Sequence, residues 1–223
     1  MLTRHEEKYI LTYPQYIELI SRARQVLTPD DHGMDGTYTI TSIYYDDPMD
    51  TGLYEKLDGL KLHSKFRART YDYNTGFVRL ERKDKLGILT KKISAVVGWE
   101  LRPQLTQPGS WEQVDGTARE LLQQMQSSRQ QPVVAVRYER DAFFHEASDF
   151  RLTFDRNLEA LPPDTEALSN PDFTGIPVLP TGNVVMEVKY GAYLPAFARK
   201  LTRVKAQQLS LSKYALCRIS LGK

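Results

Sequence analysis

A β-strand sends alternate side chains to opposite faces, and in this sequence one of those two faces is repeatedly charged. Lys65, Arg67 and Arg69 alternate with Phe66 and Ala68. Arg79, Glu81 and Lys83 alternate with Val78 and Leu80. Arg151, Thr153 and Asp155 stand against Leu152 and Phe154, and Glu187 and Lys189 against Val184, Met186 and Val188. Residues 4–8 add Arg4, Glu6 and Lys8, and a later strand adds Arg140 beside Tyr138. These positions hold ten Lys or Arg and four Asp or Glu, although the whole chain carries a formal charge of only +2. The positive charge is therefore gathered on one kind of surface.

Two architectures compete for this pattern. In a sandwich, the charged faces meet water and pair across strands, which predicts mixed signs. In a closed barrel, the apolar faces lie under helices and the charged faces point into a lumen. The positive surplus favours the barrel, provided an anion fills it, because clustered like charges repel. Arg grips phosphate through a bidentate fork and Lys supplies point charge. Carboxylates among such cations suit a divalent ion whose coordination is completed by substrate phosphates.

The rest of the chain is compatible with one α+β domain over residues 1–223. Its 223 residues are 41% hydrophobic and 26% charged, ordinary values for a globular protein. No apolar run approaches the roughly 18 residues of a membrane span. The first residues, MLTRHEEKYIL, lack the apolar core of a signal peptide. The only cysteine, Cys217, cannot form an internal disulfide, so a cytoplasmic setting is expected. Strands are expected at 4–11, 37–46, 62–73, 76–83, 88–97, 132–144, 149–155 and 183–190. A helix should open at Pro14 and bury Ile17, Ile20, Ala23 and Leu27. Others are expected at 51–58, 115–128, from Pro195 to about Ala206, and after a cap at Ser210 or Ser212. The five-proline stretch 160–182 reads as a surface loop.

Read in order, the segments RHEEKY (4–9), TSIYYDDPMDTGLYEKLDG (41–59), KFRARTY (65–71), LERKDK (80–85), RYERDAF (137–143), RLTFDRNL (151–158) and VVMEVKY (184–190) resemble a known family. They are similar to the VTC domain of polyphosphate polymerases, a branch of the triphosphate tunnel metalloenzymes, or CYTH-like superfamily. A final Ser-Lys-Tyr at 212–214 also matches. Arg4 stands where other branches carry the first Glu of an ExExK strand, and Ser210 stands where the polymerase pattern has a second Lys.

The resemblance implies a closed eight-stranded antiparallel β-barrel, the triphosphate tunnel, with helices packed outside. It implies transfer of the γ-phosphoryl group of ATP, or of another triphosphate, to inorganic polyphosphate with Mn2+ or Mg2+. Lys8, Arg67, Arg69, Lys83, Lys92, Arg140, Arg151, Lys189 and Lys213 would bind phosphate. Arg67, Arg69 and Arg140 would stabilise transition-state charge, with Tyr138 beside the transferring group. Glu187 would bind the metal, assisted by Glu6 or Glu81. The alternatives are a triphosphatase, in which water is the acceptor, and a non-catalytic polyphosphate-binding module. Nucleic acid is not expected, because Phe66, Phe154 and Val188 alternate away from the basic set and leave no stacking platform. No integral membrane segment is expected; a membrane protein is a candidate partner.

Overall fold

Alternation places apolar residues on one side of each strand, and helices bury that side. A computed structural model describes residues 5–33, 35–87, 89–106, 114, 116–210 and 212–223. Arg4 and Trp111 lie outside the described residues. The strands are β1 (His5–Leu11), β2 (Thr28–Pro29), β3 (Thr37–Asp46), β4 (Leu62–Tyr71), β5 (Phe77–Leu86), β6 (Leu89–Gly98), β7 (Gln131–Phe144), β8 (Arg151–Leu161), β9 (Ile176–Pro177), β10 (Val184–Tyr190) and β11 (Gln207–Gln208). The α-helices are α1 (Tyr13–Val26), α2 (Thr51–Leu57), α3 (Gly116–Ser127), α4 (Ala196–Leu201) and α5 (Lys213–Ser220). Short 3-10 helices cover Trp99–Leu105 and Thr165–Leu168.

Contacts divide the chain into two compact units. The first comprises residues 1–39, 138–158 and 179–211; the second comprises 40–137, 159–178 and 212–223. In the first unit, Leu152, Phe154, Val184, Met186 and Val188 pack with Tyr16, Leu19, Ile20 and Ala23 of α1 and with Ala198 and Leu201 of α4. Helix α1 starts as a capped helix should: the Thr12 N–H donates to Gln15 Oε1 at 2.9 Å, with Pro14 in the first turn. Its buried stripe is turned slightly from the expected one, leaving Ile17 46% exposed. In the second unit, Phe66, Ala68, Val78, Leu80 and Val97 pack with Leu121, Leu122 and Met125 of α3. The apolar strand faces thus lie under helices in both units. Full burial of each such side chain is worth about 1.5–3 kcal/mol.

The barrel does not form. Strand pairing is antiparallel in the order β11-β1-β10-β8-β7-β3-β4-β5-β6, with β2 on β7 and β9 on β8. This is an open sheet of eleven strands, and no pairing joins β1 or β11 to β6 among the described residues. The reason lies at the edge of β1. One side pairs with β10. The other pairs Tyr9 with Gln208 and Ile10 with Gln207, and the Leu209 N–H donates to the Lys8 carbonyl at 2.9 Å. The edge that closure would need is occupied. At the other end, Thr90, Lys91 and Lys92 are exposed on β6, and edge lysines resist further pairing.

The same segment corrects a second expectation. The helix from Pro195 stops at Leu201 rather than near Ala206, because the following residues are drawn onto β1. The Lys205 carbonyl accepts from Gln15 Nε2 at 2.9 Å on the way. Strand β8 runs to Leu161, six residues past its expected end, and the proline-rich stretch carries a 3-10 turn and β9.

Candidate functional site

The charged strand faces form two clusters, one in each unit. In the second unit they stack as rungs across β4, β5 and β6. Lys65 pairs in register with Lys83, and Lys83 with Lys92. In the next rung Arg67 faces Glu81 and Glu81 faces Ser94; in the third, Arg69 faces Arg79 and Arg79 faces Val96. Strand β3 continues the rungs, with Tyr44 opposite Arg67 and Ser42 opposite Arg69. Within the three rungs on β4–β6 stand six Lys or Arg and one carboxylate.

That carboxylate organises its neighbours. Arg67 Nε donates to Glu81 Oε2 at 2.5 Å, and Lys92 Nζ pairs with Glu81 Oε1. Arg67 Nη1 also donates to Tyr44 Oη at 3.1 Å, and Arg69 Nε to Ser42 Oγ at 2.9 Å. Glu81 is 2% exposed. Burial alone would raise its pKa, but Arg67, Arg69 and Lys92 outweigh burial and hold it down at about 2. Tyr44 reports the same field. Burial pushes its phenol up, yet Arg67, Arg69 and Lys213 together bring it below the ordinary tyrosine value. Lys65 Nζ lies 3.4 Å from Ser212 Oγ and 4.5 Å from the Tyr214 ring centre. Ser212 caps α5, so Lys213 is the first residue of that helix, as the Ser212 alternative expected. Lys83 and Lys92 are largely exposed, whereas Arg69 is buried.

In the first unit, charges are paired. Arg140 of β7 is buried and grips Asp155 of β8 bidentately, Nε to Oδ1 at 2.7 Å and Nη2 to Oδ2 at 2.8 Å. Its guanidinium lies 5.3 Å from the Tyr138 ring centre. Glu187 of β10 meets Lys189 Nζ at 3.1 Å, Arg140 Nη2 at 3.7 Å and Lys8 Nζ at 3.8 Å. Lys8 Nζ also reaches Glu6 Oε1 at 3.0 Å. Arg151 Nη2 donates to Asp30 Oδ2 at 2.5 Å and to Tyr38 Oη at 3.3 Å. Register places Glu6, Lys189 and Arg151 in one rung, and Lys8, Glu187 and Thr153 in the next.

The fit of a divalent ion can be tested on this cluster. No group of three or more His, Cys, Asp or Glu gathers as a ready cage among the described residues. Mg2+ and Mn2+ need less, because one or two carboxylates plus substrate phosphates suffice. Glu6 and Glu187 converge on one ammonium, that of Lys8, which marks a point where carboxylates already gather around positive charge. Opposite Glu187 in register, Thr153 Oγ1 is buried without a hydrogen-bond partner. The donors are hard oxygens and fit the ion. The oxygens of Glu81, in the other unit, are engaged by Arg67 and Lys92.

The candidate residues fall into two groups. Arg67, Arg69, Glu81, Lys83 and Lys92 share the rungs of the second unit, with Lys213 acting on Tyr44 nearby. Glu6, Lys8, Tyr138, Arg140, Arg151, Glu187 and Lys189 belong to the first. Sequence reasoning missed Tyr44 and Ser42, which are uncharged and so dropped out of a charge count. It missed Asp30, which sits in a segment whose composition says only loop. It counted Arg79 and Thr153 on the charged faces without giving either a role.

A profile of the VTC domain matches residues 3–221. The chain belongs to the VTC domain family. A protein from Pyrococcus horikoshii OT3 superposes with a TM-score of 0.51 at 12% identity, covering 97% of this chain and 99% of that one. A candidate adenylate cyclase from Bacillus halodurans superposes with a TM-score of 0.51 at 12% identity, covering 90% of this chain and 87% of that one. At that identity the likeness is one of fold alone. No curated protein matches this VTC domain by sequence. No helix among the described residues is long and apolar enough to cross a membrane.

Proposed function

We propose that this VTC domain transfers the γ-phosphoryl group of ATP to the end of an inorganic polyphosphate chain, using Mn2+ or Mg2+ in a cytoplasmic setting. The observation that carries the reading is the surplus of cations in the second unit, where lysine faces lysine and arginine faces arginine with one carboxylate between. Like charges directly opposite in a sheet are destabilising, so such a face calls for an anion with several charges. Family membership makes condensed phosphate the fitting anion.

In this reading Lys83, Lys92, Arg67, Arg69 and Lys213 neutralise phosphate oxygens, and Glu81 holds Arg67 and Lys92 in place. In the first unit, Glu187 and Glu6 would hold the metal, which supplies charge neutralisation on phosphate oxygens when bound. Arg140, fixed by Asp155 and backed by Tyr138, stabilises charge on a transferring phosphoryl group, while Lys8, Lys189 and Arg151 add positive potential. A terminal phosphate oxygen of the acceptor attacks the γ-phosphorus, and the bond to the leaving ADP oxygen breaks. Phosphoryl transfer asks a protein for positioning and electrostatics rather than covalent chemistry.

The test is incubation with ATP and Mn2+, followed by ³¹P NMR. A growing signal from internal phosphates is expected. Orthophosphate alone would make the protein a triphosphatase, and tight polyphosphate binding without turnover would make it a binding module. Glu187→Gln should abolish metal-dependent turnover and leave polyphosphate binding in place.

A further inference from the structure

Arg79 has no place in the roles above, yet its surroundings are unusual for an arginine. It sits on β5 directly opposite Arg69 of β4 and opposite Val96 of β6. No ion pair engages either arginine among the described residues, and the Nε of Arg79 is buried without a hydrogen-bond partner. Arg69 is buried at 6% exposure, with Ser42 Oγ as its hydrogen-bond acceptor. A partly buried pair of guanidinium groups directly opposite each other, with Glu81 one rung away as the nearest carboxylate on the face, is a cost to the folded chain, and one that a bound anion reduces.

The position of the pair along the sheet adds a second argument. Alternate residues of a strand are about 7 Å apart, so the Arg69–Arg79 rung lies about 13 Å from the Lys65–Lys83–Lys92 rung. A single phosphate can reach one of these rungs. Only a chain of phosphates running along the strands can engage both, with Arg67 between them.

We propose that Arg79 and Arg69 form a distal phosphate subsite, which makes this face prefer condensed phosphate chains over a single phosphate. The inference rests on the reading of the second unit's face as phosphate-binding and adds to it a residue and a basis for length selectivity. Arg79 is a binding and specificity residue in this account, with no part in bond making.

The experiment is calorimetric titration of the wild type, Arg79→Gln and Arg79→Lys with orthophosphate, tripolyphosphate and long-chain polyphosphate at fixed ionic strength, with a thermal melt of each free protein. Arg79→Gln should weaken long-chain binding about tenfold, tripolyphosphate less, and orthophosphate least. The salt dependence of long-chain binding should fall by about one charge. Arg79→Lys should lie between the two proteins. Without ligand, Arg79→Gln should melt at or above the wild-type temperature, because it removes a repulsion. A loss equal at all lengths, no loss at all, or a lower melting temperature for the free variant would overturn the subsite. If the wild type binds none of the three ligands, the reading of the face itself fails; if it binds and Arg79→Gln binds equally well, only the subsite does.

Discussion

The two charged faces are built from the same residue types by the same strand alternation, and they balance differently. In the first unit Lys8, Arg140, Arg151 and Lys189 stand among Glu6, Asp30, Asp155 and Glu187, and each carboxylate meets a cation. In the second, the three rungs carry six cations and one carboxylate, Glu81, with Glu55 of α2 acting on Lys65 from outside them. A balanced face satisfies itself in the folded chain. A face with a surplus of cations should depend for its stability on what is bound.

Removing one carboxylate from each face should separate the two most strongly. Asp155 is completely buried under a bidentate arginine. Asp155→Asn takes the bidentate partner from the buried Arg140, leaving it Glu187 at 3.7 Å, and should cost about 3–5 kcal/mol in urea denaturation. Added polyphosphate should restore little of it, because the defect lies in an internal pair. A loss under about 1 kcal/mol would show that the pair is not what holds this face.

Glu81→Gln should cost somewhat less, on the order of 3 kcal/mol, from a carboxyl held at about 2 against an ordinary 4.5. A depressed carboxylate stabilises the fold above its unfolded pKa and loses that contribution as pH falls. The Glu81 contribution should therefore be complete above pH 4.5 and disappear towards pH 2, and the variant should lack this acid-side slope. Here tripolyphosphate should recover much of the loss, since it supplies the missing negative charge. Equal rescue of both variants would erase the distinction between the faces.

Alternation in the sequence was enough to assign the charged face of β4, β5, β8 and β10, and β3 begins and ends where its Thr, Tyr and Ile residues say it should. Alternation carries no information about edges. Whether the first strand of a sheet meets the last depends on what else competes for the hydrogen bonds of β1, and the competitor is Gln207–Gln208, whose sequence reads as well as the end of a helix as it does as a strand. The bidentate partner of Arg140 was visible as Asp155 in the same face pattern. The partner of Arg151 was not, because Asp30 arrives from a loop through tertiary packing. Tyr44 and Ser42 needed the register of β3 on β4, which no charge count supplies.

The smallest effect is also the most direct measure of the contrast, because each face contains a buried tyrosine. Tyr38, in the first unit, is held above the ordinary phenol value: burial and the Asp30 carboxylate outweigh Arg140 and Arg151. Tyr44, in the second, is held below it despite burial, because Arg67, Arg69 and Lys213 outweigh desolvation. Difference titrations of phenolate absorbance, wild type against Tyr44→Phe and against Tyr38→Phe, should find Tyr44 ionising at the lower pH. Tripolyphosphate should raise the Tyr44 transition, since each bound negative charge offsets the cations that favour phenolate. Tyr38 should move much less, because the charges around it are already matched. A Tyr44 transition indifferent to tripolyphosphate would mean that the anion does not bind these rungs, whatever its affinity for the protein as a whole.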